Sequence, residues 1–265
     1  MKNIEASYIK KNYKYKNLNI VYYIFVNVDN ANIKSQPIIF LPGVCANGLI
    51  IEDTLRELSK KYEVVSLDLP CFGESNVTDS DWSMDDYADL LISFIEESHL
   101  ENIILIGHSL GGLISLYLSS RCDKVTKQII IDSTGNLPKY NLVEYFYRLL
   151  VLENIYTITN YKSGFQNLLI FYYSYFQFFF ARFFYLSRIT KIMQKCFYHD
   201  FEEYQNIKVE TIIFWGKDDI LIPLSYGKIL NNKIKSSELI IVDGAHGWFK
   251  YNEPKLLALL GRYLD

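Results

Sequence analysis

The sequence predicts an α/β protein with a mostly parallel central sheet and helices on both of its faces. Three observations lead to this fold class. Short aliphatic runs alternate with segments of helical periodicity along most of the 265 residues. One of these runs passes abruptly into a helix at a serine between two glycines. A single long segment without strand signals interrupts the alternation, so we expect one α/β domain that carries an insertion.

The strands are predicted from short apolar runs bounded by turn residues. These runs lie at residues 4–13, 18–28, 38–41, 64–67, 104–106, 128–131, 211–215 and 238–242. The first helix is predicted to bury a face formed by Ile51, Leu55, Leu58 and Tyr62. Ser83 is expected to cap the second helix, with Asp86 in capping-box position. Later helices are predicted after Ser109, near 224–231 and at 254–263.

The composition is typical of a folded globular protein. Hydrophobic residues make up 50% of the chain and charged residues 22%, which excludes a disordered or fibrous protein. The N-terminus lacks the apolar run of a signal peptide, and the four cysteines lack the paired spacing of zinc or redox motifs. We therefore expect a cytoplasmic protein. The net charge of −3 gives no reason to expect a nucleic-acid partner.

The serine between two glycines lies in Gly-His-Ser-Leu-Gly at residues 107–111. This sequence matches Gly-x-Ser-x-Gly, the nucleophile elbow, in which a tight strand-to-helix turn exposes the serine oxygen. The amides at the start of the helix then face a developing oxyanion. The strand before and the helix after favour this interpretation over a glycine-rich surface turn. Ser109 is therefore the candidate nucleophile.

A serine hydroxyl needs a general base, and histidine is the usual one. His246 lies in a glycine-bounded loop after the last predicted strand, at the sheet edge where sites of α/β proteins form. His108 precedes the elbow serine and is predicted to point away from it. His99 ends a helix and His199 ends the insertion. His246 is therefore the candidate base.

The insertion covers residues 137–204 and is predicted to form several helices, which leaves residues 1–136 and 205–265 as the core. Residues 137–199 hold 20 of the 39 Phe and Tyr residues and seven Lys and Arg against two acids. This positive charge favours an anionic partner. The run at 168–181 is apolar on every side of a helix. Three interpretations stay open for it: internal packing, an apolar wall for an acyl group, and reversible contact with a lipid surface.

On these motifs the chain resembles the α/β-hydrolases, from about residue 18 to the C-terminus. The resemblance implies that the insertion is the family's helical cap and that the catalytic acid lies between the serine and the histidine in the chain. Asp219 matches the family pattern Gly-x-x-Asp, and Asp132 at the end of an earlier strand is its rival. Asp218 is expected to cap the turn or to face solvent.

The resemblance also implies an oxyanion hole formed by the backbone N–H groups of Leu110 and Val44. This chain departs from the family pattern at Pro42, where His usually precedes Gly43, and at Cys71, where the corresponding loop usually has glycine. The backbone donor of Val44 does not depend on the side chain at position 42. A serine, histidine and aspartate suffice for the chemistry, so no cofactor or metal is expected.

The predicted function is hydrolysis of a carboxylic ester or thioester with an apolar acyl group, through an acyl-enzyme. One alternative keeps the triad but acts on an anionic acid, as a carbon–carbon bond hydrolase or a lyase of the menaquinone-synthesis type. Another is a non-catalytic ligand receptor or scaffold. The expected partner is a small-molecule substrate that is apolar or also anionic, with transient lipid-surface contact through the cap as a further interpretation.

Overall fold

A computed structural model of the chain describes residues 8–26, 34–133, 142–161, 176, 178–197 and 202–264. Most of the predicted apolar helix at 168–181 lies outside these residues, and so does His199. Within the described part of the chain, no helix is long and apolar enough to cross a membrane.

Eight strands form one sheet in the order β1-β2-β4-β3-β5-β6-β7-β8. The strands are β1 (Tyr8–Tyr15), β2 (Leu18–Phe25), β3 (Lys34–Leu41), β4 (Tyr62–Leu67), β5 (Ile103–His108), β6 (Val125–Ile131), β7 (Glu210–Gly216) and β8 (Ser237–Val242). The first hairpin and the pairing of β2 with β4 are antiparallel, and all other neighbours are parallel. This confirms the predicted mostly parallel sheet.

Helices connect the parallel strands and cover the sheet. They are α1 (Glu52–Leu58), α2 (Met84–Glu97), α3 (Leu110–Ser119), α4 (Leu142–Tyr147), α5 (Glu153–Asn160), α6 (Leu186–Phe197), α7 (Leu224–Lys233), α8 (Trp248–Tyr251) and α9 (Glu253–Leu264). A π-helical turn, Arg148–Leu152, joins α4 to α5, and single 3₁₀ turns lie at Phe183–Tyr185 and Glu202–Asn206.

Local signals placed most element boundaries correctly. The Ser83 side chain accepts a hydrogen bond from the Asp86 N–H, and the Asp86 carboxylate accepts one from the Ser83 N–H, so the predicted capping box at α2 is present. The exceptions include the first two strands, which end at Tyr15 and Phe25 instead of at residues 13 and 28. Another is Tyr62, which begins β4 instead of extending α1. The Tyr62 ring is buried, as an apolar position on a helix would be, and its hydroxyl donates to the Leu264 carbonyl. A buried position was therefore predicted correctly but assigned to the wrong element.

The sheet separates two apolar layers. One layer contains buried side chains of α2, α3, α6 and α7, and the other contains those of α1, α8 and α9. Helices therefore pack on both faces, as predicted. Because β3, β5, β6, β7 and β8 run in the same direction, the loops that follow these strands meet at one edge of the sheet.

The helices described between β6 and β7 lie in the segment for which the sequence predicts an insertion. Three basic side chains tie this inserted segment (residues 137–204) to the loop of residues 71–81. Arg182 donates to the carbonyls of Gly73 and Ser75 at 3.0 Å, and Arg188 donates to the Thr78 carbonyl at 2.8 Å. Lys195 adds a bond to the Asp81 carbonyl. Part of the segment's positive charge thus serves attachment to the core.

Candidate active site

Ser109 lies on the turn between β5 and α3 with φ 53° and ψ −116°. A positive φ is strained for a residue with a side chain, and such strain is typical of functional sites. The turn is close-packed, because a Cβ added to Gly111 would lie 2.1 Å from the carbonyl oxygen of Leu41 in β3. The Ser109 N–H donates to the Ile131 carbonyl at 3.0 Å, which ties the turn to β6. The sheet therefore holds the serine in this conformation.

His246 and Asp219 form a buried pair in the loops after β8 and β7. His246 Nδ1 lies 2.8 Å from Asp219 Oδ2, and the other carboxylate oxygen accepts the Ile222 N–H at 2.7 Å. Burial lowers the pKa of His246, so the imidazole is neutral and able to accept a proton. Burial raises the pKa of Asp219, while backbone N–H groups of Ile222 and Leu221 oppose that shift.

The structure brings Asp219, and not its rival Asp132, to His246. Asp132 accepts the Gly216 N–H at 2.6 Å and the indole N–H of Trp248 at 2.8 Å, so it links β7 to α8. Asp218 is exposed and accepts a hydrogen bond from the Tyr156 hydroxyl at 3.0 Å.

Ser109, His246 and Val44 line one cavity of about 600 Å³. No hydrogen bond of Ser109 Oγ is found among the described residues. Catalytic hydrogen bonds are often long before substrate binds, so this geometry is compatible with a nucleophile and its base. The apolar part of the wall includes side chains from both the core and the inserted segment: Ile50, Leu149, Phe178, Leu221 and Phe249.

The loop after β3 passes directly against the elbow. A Cβ added to Gly43 would lie 2.9 Å from His108 Nδ1 and 3.0 Å from the Ser109 Cβ. Val44 follows at once, and Leu110 is the first residue of α3, whose leading N–H groups have no intrahelical partner. Val44 therefore lines the same cavity as Ser109, and Leu110 follows Ser109 directly in the chain, so Pro42 does not keep the loop away from the elbow.

A buried carboxylate anchors this loop. Asp68 accepts the N–H groups of Gly48 and Glu74, each at 2.7 Å, and the Tyr23 hydroxyl at 3.2 Å. It thereby joins the loop after β3 to the loop after β4. Asp68 is the first residue of the loop in which Cys71 departs from the family pattern, but that pattern did not indicate which N–H groups the carboxylate would bind.

Two further side chains, His108 and Cys45, also line the cavity. His108 lines the cavity, with its ring 4.7 Å from that of His246 and 4.3 Å from that of Phe249, so the prediction that it points away was wrong. The alternation of side chains along β5 ends at the strained Ser109 turn, which lets neighbouring residues face one cavity. Cys45 also lines the cavity, but burial raises its thiol pKa to about 12, so it is protonated near neutral pH.

The helical stretch formed by α4, the π-helical turn and α5 (residues 142–160) makes hydrogen bonds to the loops that carry Asp219 and His246. Arg148 donates to the Ile220 carbonyl at 3.0 Å, and the Tyr156 hydroxyl bonds to Asp218. These contacts lie on either side of Asp219. Glu153 accepts the Gly247 N–H at 2.7 Å, directly beside His246. The position of α4 and α5 is therefore linked to the geometry of the pair.

Tyr145, Leu149 and Glu153 form the face of this stretch that lines the cavity. Their spacing of four residues matches one side of a helix, and the π-helical turn between them widens that side. The Asn154 amide donates to the carbonyls of Leu149 and Leu150, which satisfies backbone groups at the wide turn. None of these residues was predicted from the sequence to line the cavity. The only local signal was a glutamate in a segment with few acids.

Comparisons with known proteins agree with this architecture. A sequence model of the family described as the alpha/beta hydrolase fold matches residues 36–182, more than half of the chain. The chain is 22% identical over 245 residues to "Uncharacterized hydrolase YugF" of Bacillus subtilis, covering 84% of this chain and 87% of that protein.

Two solved structures are similar in fold. One is a membrane phospholipase A described as a bacterial virulence factor, with a TM-score of 0.77 at 20% identity, covering 98% of this chain and 86% of the other. The second is Est816, described as an enzyme that degrades N-acyl homoserine lactones, with a TM-score of 0.79 at 16% identity, covering 96% and 100%. At these identities the likeness shows the fold alone.

Proposed function

Because the chain belongs to the α/β-hydrolase family, we propose that it is a serine hydrolase that cleaves carboxylic esters or thioesters with an apolar acyl group. The observation that carries this proposal is the strained Ser109 turn on a cavity that also contains a buried histidine–carboxylate pair. A ligand receptor has no need of a strained serine beside such a pair.

In the proposed mechanism Ser109 attacks the carbonyl carbon and His246 takes the hydroxyl proton. Asp219 holds the Nδ1–H tautomer, which leaves Nε2 free to accept that proton. The N–H groups of Leu110 and Val44 stabilise the oxyanion. His246 then returns the proton to the leaving alcohol or thiol, and water hydrolyses the acyl-enzyme by the reverse sequence.

The apolar wall supports an apolar acyl group. A cavity of about 600 Å³ lies within the range of small-molecule sites. We further propose that residues 137–204 act as a cap, because Leu149 and Phe178 of this segment complete the wall. Its basic side chains are weaker support for an anionic substrate, since Arg182, Arg188 and Lys195 donate to backbone carbonyls of the core.

Turnover of p-nitrophenyl esters from acetyl to palmitoyl tests the proposal. We expect kcat/KM to peak at one chain length, because a cavity of about 600 Å³ accommodates acyl groups only up to a limited size. Absence of turnover across the whole series would contradict ester hydrolysis. Carbon–carbon bond substrates with an anionic group would then become the alternative to test.

The outer face of the inserted segment supports transient contact with a lipid surface. Val143, Tyr147, Val151 and Ile155 recur every four residues on the side opposite the cavity-lining stripe and are exposed. Exposed aromatic residues follow on the next described stretch: Phe176, Phe180, Phe183, Phe184 and Tyr185. The Phe146 and Phe179 rings lie 6.0 Å apart and join the two stretches. An exposed apolar surface of this kind is typical of an interaction site.

We expect the protein to sediment with phosphatidylcholine vesicles, with little dependence on salt because the contact is mainly apolar. Replacing Phe183 and Phe184 by serine removes side chains that are 66% and 91% exposed, so binding should fall by about tenfold or more. Ile229→Ser, an exposed apolar residue on α7, is the matched control. Equal sedimentation of the double variant and the parent would contradict lipid contact through this face.

A further inference from the structure

Two polar side chains of the inserted segment line the catalytic cavity but take no part in the proposed mechanism. Tyr145 OH and Glu153 Oε2 are both buried and have no hydrogen-bond partner among the described residues. Burying a polar atom without a partner costs free energy, so such an atom on a cavity wall points to a ligand. Glu153 is the stronger case, because it lies beside the catalytic histidine.

The two carboxyl oxygens of Glu153 have different surroundings. Oε1 accepts the Gly247 N–H at 2.7 Å, which fixes the side chain. Oε2 has no donor or acceptor within reach in the described part of the chain, although the residue is only 3% exposed. Tyr145 lies eight residues earlier on the same helical stretch, with the π-helical turn in between, so it lines a different part of the cavity.

No hydrogen-bond donor among the described residues reaches Glu153 Oε2, so a negative charge on this buried carboxyl would be poorly stabilised. Burial raises the pKa of this carboxyl, and the nearby Asp219 charge raises it further, while His246, the Gly247 N–H and Lys250 act in the opposite direction. A neutral carboxyl accepts with one oxygen and donates with the other. Because Oε1 already accepts the Gly247 N–H, a neutral Glu153 would carry its proton on Oε2, which has no acceptor among the described residues.

We propose that Glu153 Oε2 donates a hydrogen bond to an acceptor oxygen of the substrate, so that the preferred substrate is an ester with a second carbonyl in its acyl chain. This inference rests on the proposed ester hydrolysis at Ser109 and refines its substrate class. Leu149 and Phe178 are apolar parts of the cavity wall and offer no hydrogen bond, so an acceptor oxygen is favoured only at the position along the chain where it meets Oε2.

The test compares p-nitrophenyl esters of one acyl length, with and without a carbonyl in place of a methylene at C4, C5 or C6. In the wild type we expect one oxo position to raise kcat/KM by about three- to tenfold over the plain ester. Glu153→Gln keeps an acceptor for the Gly247 N–H and a donor in place of Oε2, so it should retain the preference. Glu153→Leu should lose it.

The ratio of kcat/KM for the oxo-ester to kcat/KM for the plain ester reports only the hydrogen bond between Glu153 and the substrate. Loss of the bond to Gly247 affects both esters alike and cancels in this ratio. The proposal is overturned if the wild type prefers no oxo position, if Glu153→Leu keeps the preference, or if Glu153→Gln loses it as Glu153→Leu does.

Calorimetry on the Ser109→Ala variant distinguishes failure of the Glu153 proposal from failure of ester hydrolysis itself. Among diketones whose second carbonyl corresponds to C4, C5 or C6 of the oxo-esters, one is expected to bind the Ser109→Ala variant at least three times more tightly than the monoketone of equal length. Adding Glu153→Leu to that variant should abolish the difference. Equal affinities for the two ketones in the Ser109→Ala protein would contradict the proposal even if no ester is turned over.

Discussion

Replacing Ser109 by alanine is expected to lower kcat for the best p-nitrophenyl ester by on the order of 10⁴- to 10⁶-fold. The variant keeps the cavity, the His246–Asp219 pair and the backbone amides, but it has no oxygen to form the acyl-enzyme. Its fold should be unaffected, because Ser109 Oγ makes no hydrogen bond to any described residue. The measurement is steady-state turnover together with the thermal unfolding midpoint.

Ser98→Ala is the matched control for this variant, since Ser98 is an exposed residue at the C-terminal end of α2. It should retain wild-type turnover. Equal rates in wild type and Ser109→Ala would place the reaction elsewhere and contradict the nucleophile assignment.

Replacing Asp219 by asparagine is expected to lower kcat by about 10⁴-fold. An asparagine amide in place of Oδ2 donates to His246 Nδ1 and thereby favours the tautomer that carries its proton on Nε2. That nitrogen is then unable to accept the Ser109 proton. The Ile222 N–H can still bond to the asparagine oxygen, so we expect only a small loss of stability.

The Asp132→Asn variant tests whether Asp132, instead of Asp219, is the catalytic acid. Asp132 accepts two N–H groups, and an asparagine amide would face one of them with a second donor. We expect a cost of about 1–3 kcal/mol in stability, with a loss of rate below about tenfold. Asp243→Asn, an exposed residue before His246, serves as the control for both variants. A large loss of rate in Asp132→Asn with little loss in Asp219→Asn would reverse the assignment.

Features encoded by neighbouring residues were predictable from the sequence. The capping box at Ser83, the parallel strands and the start of the last helix near Pro254 depend on short patterns, and the structure has all three. The sequence also predicted Ser109, Asp219 and His246, which the structure brings to one end of the sheet. Their catalytic role stays a prediction that the variants above test.

Features that depend on long-range packing were not predictable. Glu153 lies 94 positions from Gly247 in the chain, so nothing in its local sequence indicates that they meet. The π-helical turn at Arg148–Leu152 widens the helix where Leu149 and Glu153 face the cavity, and helical periodicity alone does not reveal it. The positive charge of Arg182 and Arg188 contributed to the expectation of an anionic partner, whereas in the structure both side chains donate to carbonyls of a distant loop.

The most direct test of the central claim is identification of the residue that reacts with a fluorophosphonate. Such a reagent forms a stable bond only with a serine that its own base activates. After proteolysis and mass spectrometry, we expect a single label on Ser109, which disappears in His246→Ala but persists in His99→Ala, an exposed histidine. A label on another residue, or no label on the folded wild type, would contradict a serine hydrolase built on Ser109, His246 and Asp219.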